Sequence, residues 1–148
     1  MPTLLSEGVQ KQVSQVLAPM AGDVTILFFG SENQNCEYCE QTRQLLEEVV
    51  AMNDHLRLQV YDLEADTVLA GQYGVDKAPG IVFAARDGEQ LADTRMRLYG
   101  IPSGSEFSTL INDLLLVSRR DSGLAPETRR FLHGLSHPIH LQVFATPT

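Results

Sequence analysis

Cys36 and Cys39 are the two cysteines of the chain, with Glu37 and Tyr38 between them. Thiols at this spacing reach one another across one turn of helix, so the pair can cycle between dithiol and disulfide. In such a cycle one thiolate attacks an external disulfide and the other cysteine resolves the mixed disulfide. The competing use of the pair is half of a zinc site, with His133, His137 and His140 as the other half. Those histidines stand at the far end of the chain, whereas compact zinc fingers set their halves about a dozen residues apart. The redox use is therefore the expectation, with no metal and no bound cofactor.

Which cysteine attacks depends on the elements that hold them. Val24-Thr25-Ile26-Leu27-Phe28-Phe29 is a short apolar run rich in β-branched and aromatic residues, the pattern of a strand buried on both faces. Gly30 to Asn35 is polar and turn-prone. From about Glu37, Leu45, Leu46, Val49 and Val50 fall on one stripe, with Glu40, Arg43, Glu47 and Glu48 elsewhere, so a helix begins at the cysteine motif. Unpaired N–H groups and the dipole at a helix N-terminus stabilise a thiolate, most of all for the cysteine at the open end. Cys36 is thus expected to attack and Cys39, tucked against the helix, to resolve. Glu37 opposes this by placing negative charge beside the thiolate.

The remaining pattern fills out one domain. Leu5, Val9, Val13, Val16 and Leu17 predict an amphipathic first helix. Leu56, Leu58 and Val60 alternate as a strand, and Asp66 to Tyr73 can form a short helix closed by Gly74. Ile81-Val82-Phe83 and Leu91 to Leu98 read as strands joined by a hairpin at Asp87-Gly88. Phe107, Leu110, Ile111, Leu114 and Leu115 predict the closing helix. Helix, β, α, β, α, β, β, α is the order of a thioredoxin-like fold, an α/β fold with a central mixed sheet flanked by helices. It occupies residues 1–120. In such a fold the proline at the place of Pro79 is cis and faces the disulfide, leaving the backbone of Ala78 to pair with an extended substrate segment. Tyr38 reads either as a ring covering the disulfide, on the substrate side, or as a half-exposed helix residue. Residues 121–148 repeat the opening pattern, with a helix from Pro126 through Phe131, Leu132 and Leu135 and a strand at Ile139, Leu141 and Val143.

The net charge of −8 argues against nucleic acid and anionic membrane surfaces, which draw on clustered Lys and Arg. The basic doublets Arg119-Arg120 and Arg129-Arg130 read as solvated helix ends. The start of the chain has no secretory pattern, and no apolar stretch approaches the ~20 residues of a membrane span, so a cytoplasmic location is the expectation. Such a compartment favours catalytic over structural cysteines.

Cys36-Glu37-Tyr38-Cys39-Glu40-Gln41, Ala78-Pro79, Tyr99-Gly100-Ile101-Pro102-Ser103-Gly104 with Glu106-Phe107, and Val143-Phe144-Ala145-Thr146-Pro147-Thr148 together resemble the N-terminal unit of the protein disulfide oxidoreductases. Those are glutaredoxin-like proteins of two tandem thioredoxin-fold units, and the resemblance covers essentially the whole chain. It implies dithiol–disulfide exchange with protein or small disulfide substrates and recharging by an external reductase. It also implies that residues 121–148 resemble the start of a second unit. A similar tandem fold precedes flavin-dependent peroxide-reducing subunits, so an electron-relay domain of a peroxide-reducing system is an alternative. A non-catalytic thioredoxin-like interaction module is another. The apolar residues of 125–148 need cover, for which a homodimer through this segment is expected, with a monomer whose tail folds back as the rival. Position 30 holds Gly, where thioredoxins carry an acid that aids proton transfer at the buried cysteine; Glu32 or Glu64 is the candidate substitute, and spacing does not choose between them.

Overall fold

The computed structural model describes residues 2–33 and 35–146. Helix α1 (Glu7–Leu17) opens on Ser6, whose hydroxyl accepts the N–H of Val9 at 3.3 Å. Then follow β1 (Asp23–Gly30), α2 (Cys39–Val50), β2 (Leu56–Asp62), α3 (Thr67–Gln72), β3 (Gly80–Asp87), β4 (Gln90–Tyr99) and α4 (Ser105–Arg119). The strands lie in the order β2-β1-β3-β4. β1 and β2 are parallel, while β3 runs antiparallel to both β1 and β4. This is a thioredoxin-like mixed sheet, as the order of sequence patterns predicts.

Successive side chains of a strand point to opposite faces, and β1 is apolar on both, so the sheet carries a core on each side. Ile26 and Phe28 of β1, with Ile81 and Phe83 of β3, meet Val13 and Leu17 of α1, Leu46 and Val49 of α2, and Leu110 and Leu114 of α4. Leu27 and Phe29, with Val82 and Ala84, meet Ala70 of α3 and Val75 beyond it. The cysteine helix is therefore clamped between the sheet and its fellow helices by the stripe visible in its sequence. Val16 departs from its expected place on the stripe of α1 and is largely exposed.

Arg119-Arg120 does end a helix, but Arg120 is not merely solvated. It takes the left-handed conformation (φ 57°), and its guanidinium donates to the carbonyls of Val117 (2.7 Å), Asp23 and Arg86 (both 3.0 Å). The end of α4 is thereby tied to both central strands, because a guanidinium presents donors enough to satisfy several carbonyls at once.

The chain beyond α4 departs from expectation in one element. Helix α5 (Pro126–His133) forms with Pro126 in its first turn, and none of its residues is buried. Residues 139–143 form no strand: Leu141 and Val143 are 86% and 92% exposed. Alternation alone does not make a strand, since its backbone groups need a neighbouring ladder, and no ladder partner reaches this segment among the described residues. Pro147 and Thr148, which close the segment resembling a disulfide oxidoreductase, lie outside the described residues. Among the described residues no helix is long and apolar enough to cross a membrane.

Candidate active site

β1 ends at Gly30 and the chain turns through residues 31–38 before α2 starts at Cys39, slightly later than the sequence stripe predicts. Cys36 lies in that turn and Cys39 is the first helical residue. Their sulfurs are bonded in a disulfide, with Cα atoms 5.4 Å apart. The backbone of Tyr38 starts the helix: its carbonyl accepts the N–H of Thr42 at 2.9 Å and the hydroxyl of Thr42 at 2.6 Å. Among the described residues no side chain caps the N-terminus. The first-turn donors and the positive end of the helix dipole are thus turned toward the cysteines, where they favour sulfur as thiolate.

The two sulfurs have different surroundings. Both cysteines are half-buried, but Cys39 packs against the core that includes Leu46 and Phe28, whereas Cys36 lies in the turn, outside that cluster. The α-carbon of Gly30 faces Cys39, since a side-chain carbon built there would stand 3.8 Å from Sγ of Cys39 and 3.3 Å from the ring of Phe28. Position 30 therefore looks at the sulfur of Cys39 and offers it no carboxylate.

The Ala78-Pro79 peptide bond is cis. Phe29 pairs with Gly80, so the register carries Pro79 to the level of Gly30, at the cysteine end of the sheet. Pro79 is buried and its carbonyl accepts the N–H of Gly100 at 2.9 Å. Gly80 has no room for a side chain, because one would press on Val75 (2.8 Å) and on the carbonyl of Lys77 (2.9 Å). Among the described residues neither the N–H nor the carbonyl of Ala78 takes a backbone hydrogen bond, which leaves a short stretch of backbone able to pair with an extended segment. Tyr38 is 47% exposed, an aromatic ring at the rim of the site.

Glu32 and Glu64 do come to this end of the sheet, Glu64 by accepting the hydroxyl of Ser31 at 2.8 and 2.9 Å. Asp62 and Asp66, which spacing did not single out, join them. The N–H of Glu32 donates to Asp62 at 2.9 Å and that of Asp62 to Asp66 at 2.8 Å. The signal was the parallel pairing of β1 with β2, which aligns Gly30 with Asp62. Among the described residues no three of His, Cys, Asp and Glu are grouped to hold a metal ion. His133, His137 and His140 belong to α5 and the segment after it.

In the reduced protein, iodoacetamide at neutral pH is expected to alkylate Cys36 before Cys39, read by peptide mass mapping at short times. First labelling of Cys39 would exchange the two roles.

Comparison with known proteins agrees with this geometry. No family model matches the chain. The F subunit of alkyl hydroperoxide reductase from Staphylococcus epidermidis is 27% identical over 150 residues, which span 98% of this chain and 25% of the relative. A protein disulfide oxidoreductase from Aeropyrum pernix K1 superposes with a TM-score of 0.77 at 26% identity, over 88% of this chain and 55% of that one. The N-terminal domain of the corresponding F subunit from Enterococcus faecalis shares the fold, with a TM-score of 0.73 at 21% identity, over 85% of this chain and 58% of that one. The chain thus spans about a quarter of the curated relative and somewhat over half of these solved structures. It is a thioredoxin-fold unit with a C-x-x-C disulfide, similar to a protein disulfide oxidoreductase and to the N-terminal domain of the alkyl hydroperoxide reductase F subunit.

Proposed function

We propose that the chain is a protein disulfide oxidoreductase working through the Cys36–Cys39 pair. The observation that carries the reading is the asymmetry of that pair at a helix N-terminus: both cysteines are half-buried, but Cys39 packs on the core and Cys36 lies outside it. In the reduced protein the Cys36 thiolate attacks a substrate disulfide, bonds to one sulfur and expels the other as a thiolate. Cys39 then loses its proton and attacks the sulfur of Cys36, which re-forms Cys36–Cys39 and releases the second substrate thiolate. Two electrons pass to the substrate, and an external reductase returns them. The free backbone of Ala78 and the ring of Tyr38 line the substrate segment. Turbidity from insulin reduction in dithiothreitol tests the activity: a rate well above dithiothreitol alone is expected, and a rate equal to it would contradict the assignment.

A second reading is an electron relay within a peroxide-reducing system, favoured by the similarity to the alkyl hydroperoxide reductase F subunit along 98% of this chain. Fast exchange with a partner dithiol but slow turnover of insulin would select it. A docking module with idle cysteines predicts neither.

The segment after α4 supports a homodimer: Phe131, Ile139, Leu141, Val143 and Phe144 are 60–92% exposed, more apolar surface than a soluble segment leaves in water. The sedimentation coefficient of the full chain is expected to rise with concentration, and a Phe131→Asp/Leu141→Asp variant should stay monomeric. Identical monomeric sedimentation of both would refute the dimer.

A further inference from the structure

The loops at the cysteine end of the sheet carry a rim of carboxylates. Because β1 and β2 are parallel and in register at Gly30 and Asp62, the segments leaving them run side by side, joined by the N–H of Leu63 on the carbonyl of Gly30 at 2.8 Å. Ser31 meets Glu64 and Glu32 meets Asp62 across the two segments, and Asp66 joins through its bond to the N–H of Asp62. The N–H groups of Ala65 (2.9 Å), Glu32 (2.9 Å) and Glu64 (3.0 Å) all donate to the Asp62 carboxylate. Those backbone donors hold the Asp62 carboxyl below the usual range, so it is charged at neutral pH. Gly30, where this rim begins, is also the residue whose α-carbon faces Sγ of Cys39. Glu37 adds a further exposed carboxylate from within the motif itself.

Among the described residues no side-chain cation is paired with these carboxylates, Glu32, Glu37, Asp62, Glu64 and Asp66. The basic residues on the elements around the site are already committed: Arg43 to Glu40 (2.6 Å) and Glu47 (2.7 Å), and Lys77, beside Ala78, to Asp76 (2.9 Å). A substrate sulfur approaching Cys36 passes this negative rim, which the positive end of the α2 dipole, about half an elementary charge, offsets only in part.

We infer that this rim selects disulfides carried on cationic segments, peptides or protein loops with Lys or Arg flanking the half-cystine, and rejects anionic disulfides. The inference rests on the exchange chemistry proposed above and names its substrate class. Like-signed fields over an open site act on encounter and on the mixed-disulfide complex, and salt screens them over a Debye length of about 10 Å at 0.1 M.

The test uses the full reduced chain with three small disulfides as probes: cystamine, which is dicationic, oxidised glutathione, which is anionic, and neutral bis(2-hydroxyethyl) disulfide. Each rate is divided by the rate of the same disulfide with dithiothreitol, which removes differences among leaving thiols. The ratio of cystamine to oxidised glutathione within one protein also cancels the nucleophilicity of Cys36. That ratio is expected to be about tenfold or more in about 0.01 M salt and to fall toward one in about 1 M salt. In a Glu37→Gln/Glu64→Gln variant the low-salt ratio should drop at least about threefold. A ratio near or below one at low salt, a ratio indifferent to salt, or an unchanged ratio in the variant overturns the inference while exchange itself stands. No reaction with any probe, the neutral one included, overturns the exchange reading and the inference together.

Discussion

Cys36→Ser is expected to lose disulfide turnover by a factor on the order of 10³ or more, since removing a nucleophile abolishes the covalent route and leaves only background. The fold should be untouched. Cys36 lies outside the packed core, and serine is close to it in shape, so the urea midpoint of the variant should match that of reduced wild type. Measuring both quantities on the same preparation separates lost chemistry from lost structure. Turnover within tenfold of wild type would show that the exchange does not pass through Cys36.

Leu46→Ala should have the largest effect on stability, about 2.7–5 kcal/mol, read as a drop in the urea midpoint at unchanged slope. Leu46 is fully buried, about two turns along α2 from Cys39, where it meets the sheet face formed by Ile26, Phe28, Ile81 and Phe83. Truncation leaves a cavity beneath the helix that begins at Cys39. The same contacts that stabilise the fold therefore also fix where Cys39 stands, and a loss below about 1 kcal/mol would mean that α2 is not held by this face.

The parts of the molecule legible in its sequence are those governed by local pattern. The run from Val24 to Phe29 is apolar on both sides of the pleat because β1 is central, and the stripe of Leu45, Leu46 and Val49 repeats at helical spacing because α2 has one buried face. Between them the cysteines could be placed at a helix N-terminus with no knowledge of the sheet. The hairpin at Asp87-Gly88 followed from turn chemistry, with Gly88 at φ 64°. Pro79 was different, since nothing in the dipeptide marks it as cis; its position in the order of elements did.

What sequence did not disclose depends on pairing across distance. Asp62 looks like an ordinary loop acid until the parallel register of β1 with β2 brings it beside Glu32, with Asp66 bonded behind it. Arg120 looks like a solvated helix end until the ends of β1 and β3 present their carbonyls to it. Ile139, Leu141 and Val143 alternate as a strand should, yet alternation describes only which face a side chain takes. A strand also needs a neighbour for its N–H and carbonyl groups, and the described residues supply none.

Exchange requires that Cys36 bond covalently to substrate sulfur while Cys39 waits to release it. Reduced Cys39→Ser protein, mixed with a disulfide-bonded peptide and analysed by intact mass and peptide mapping, tests this most directly. The account predicts a stable one-to-one adduct on Cys36 that dithiothreitol reverses, because no second thiol remains to resolve it. The absence of any adduct, alongside a Cys36→Ser protein that does form one on Cys39, would contradict it.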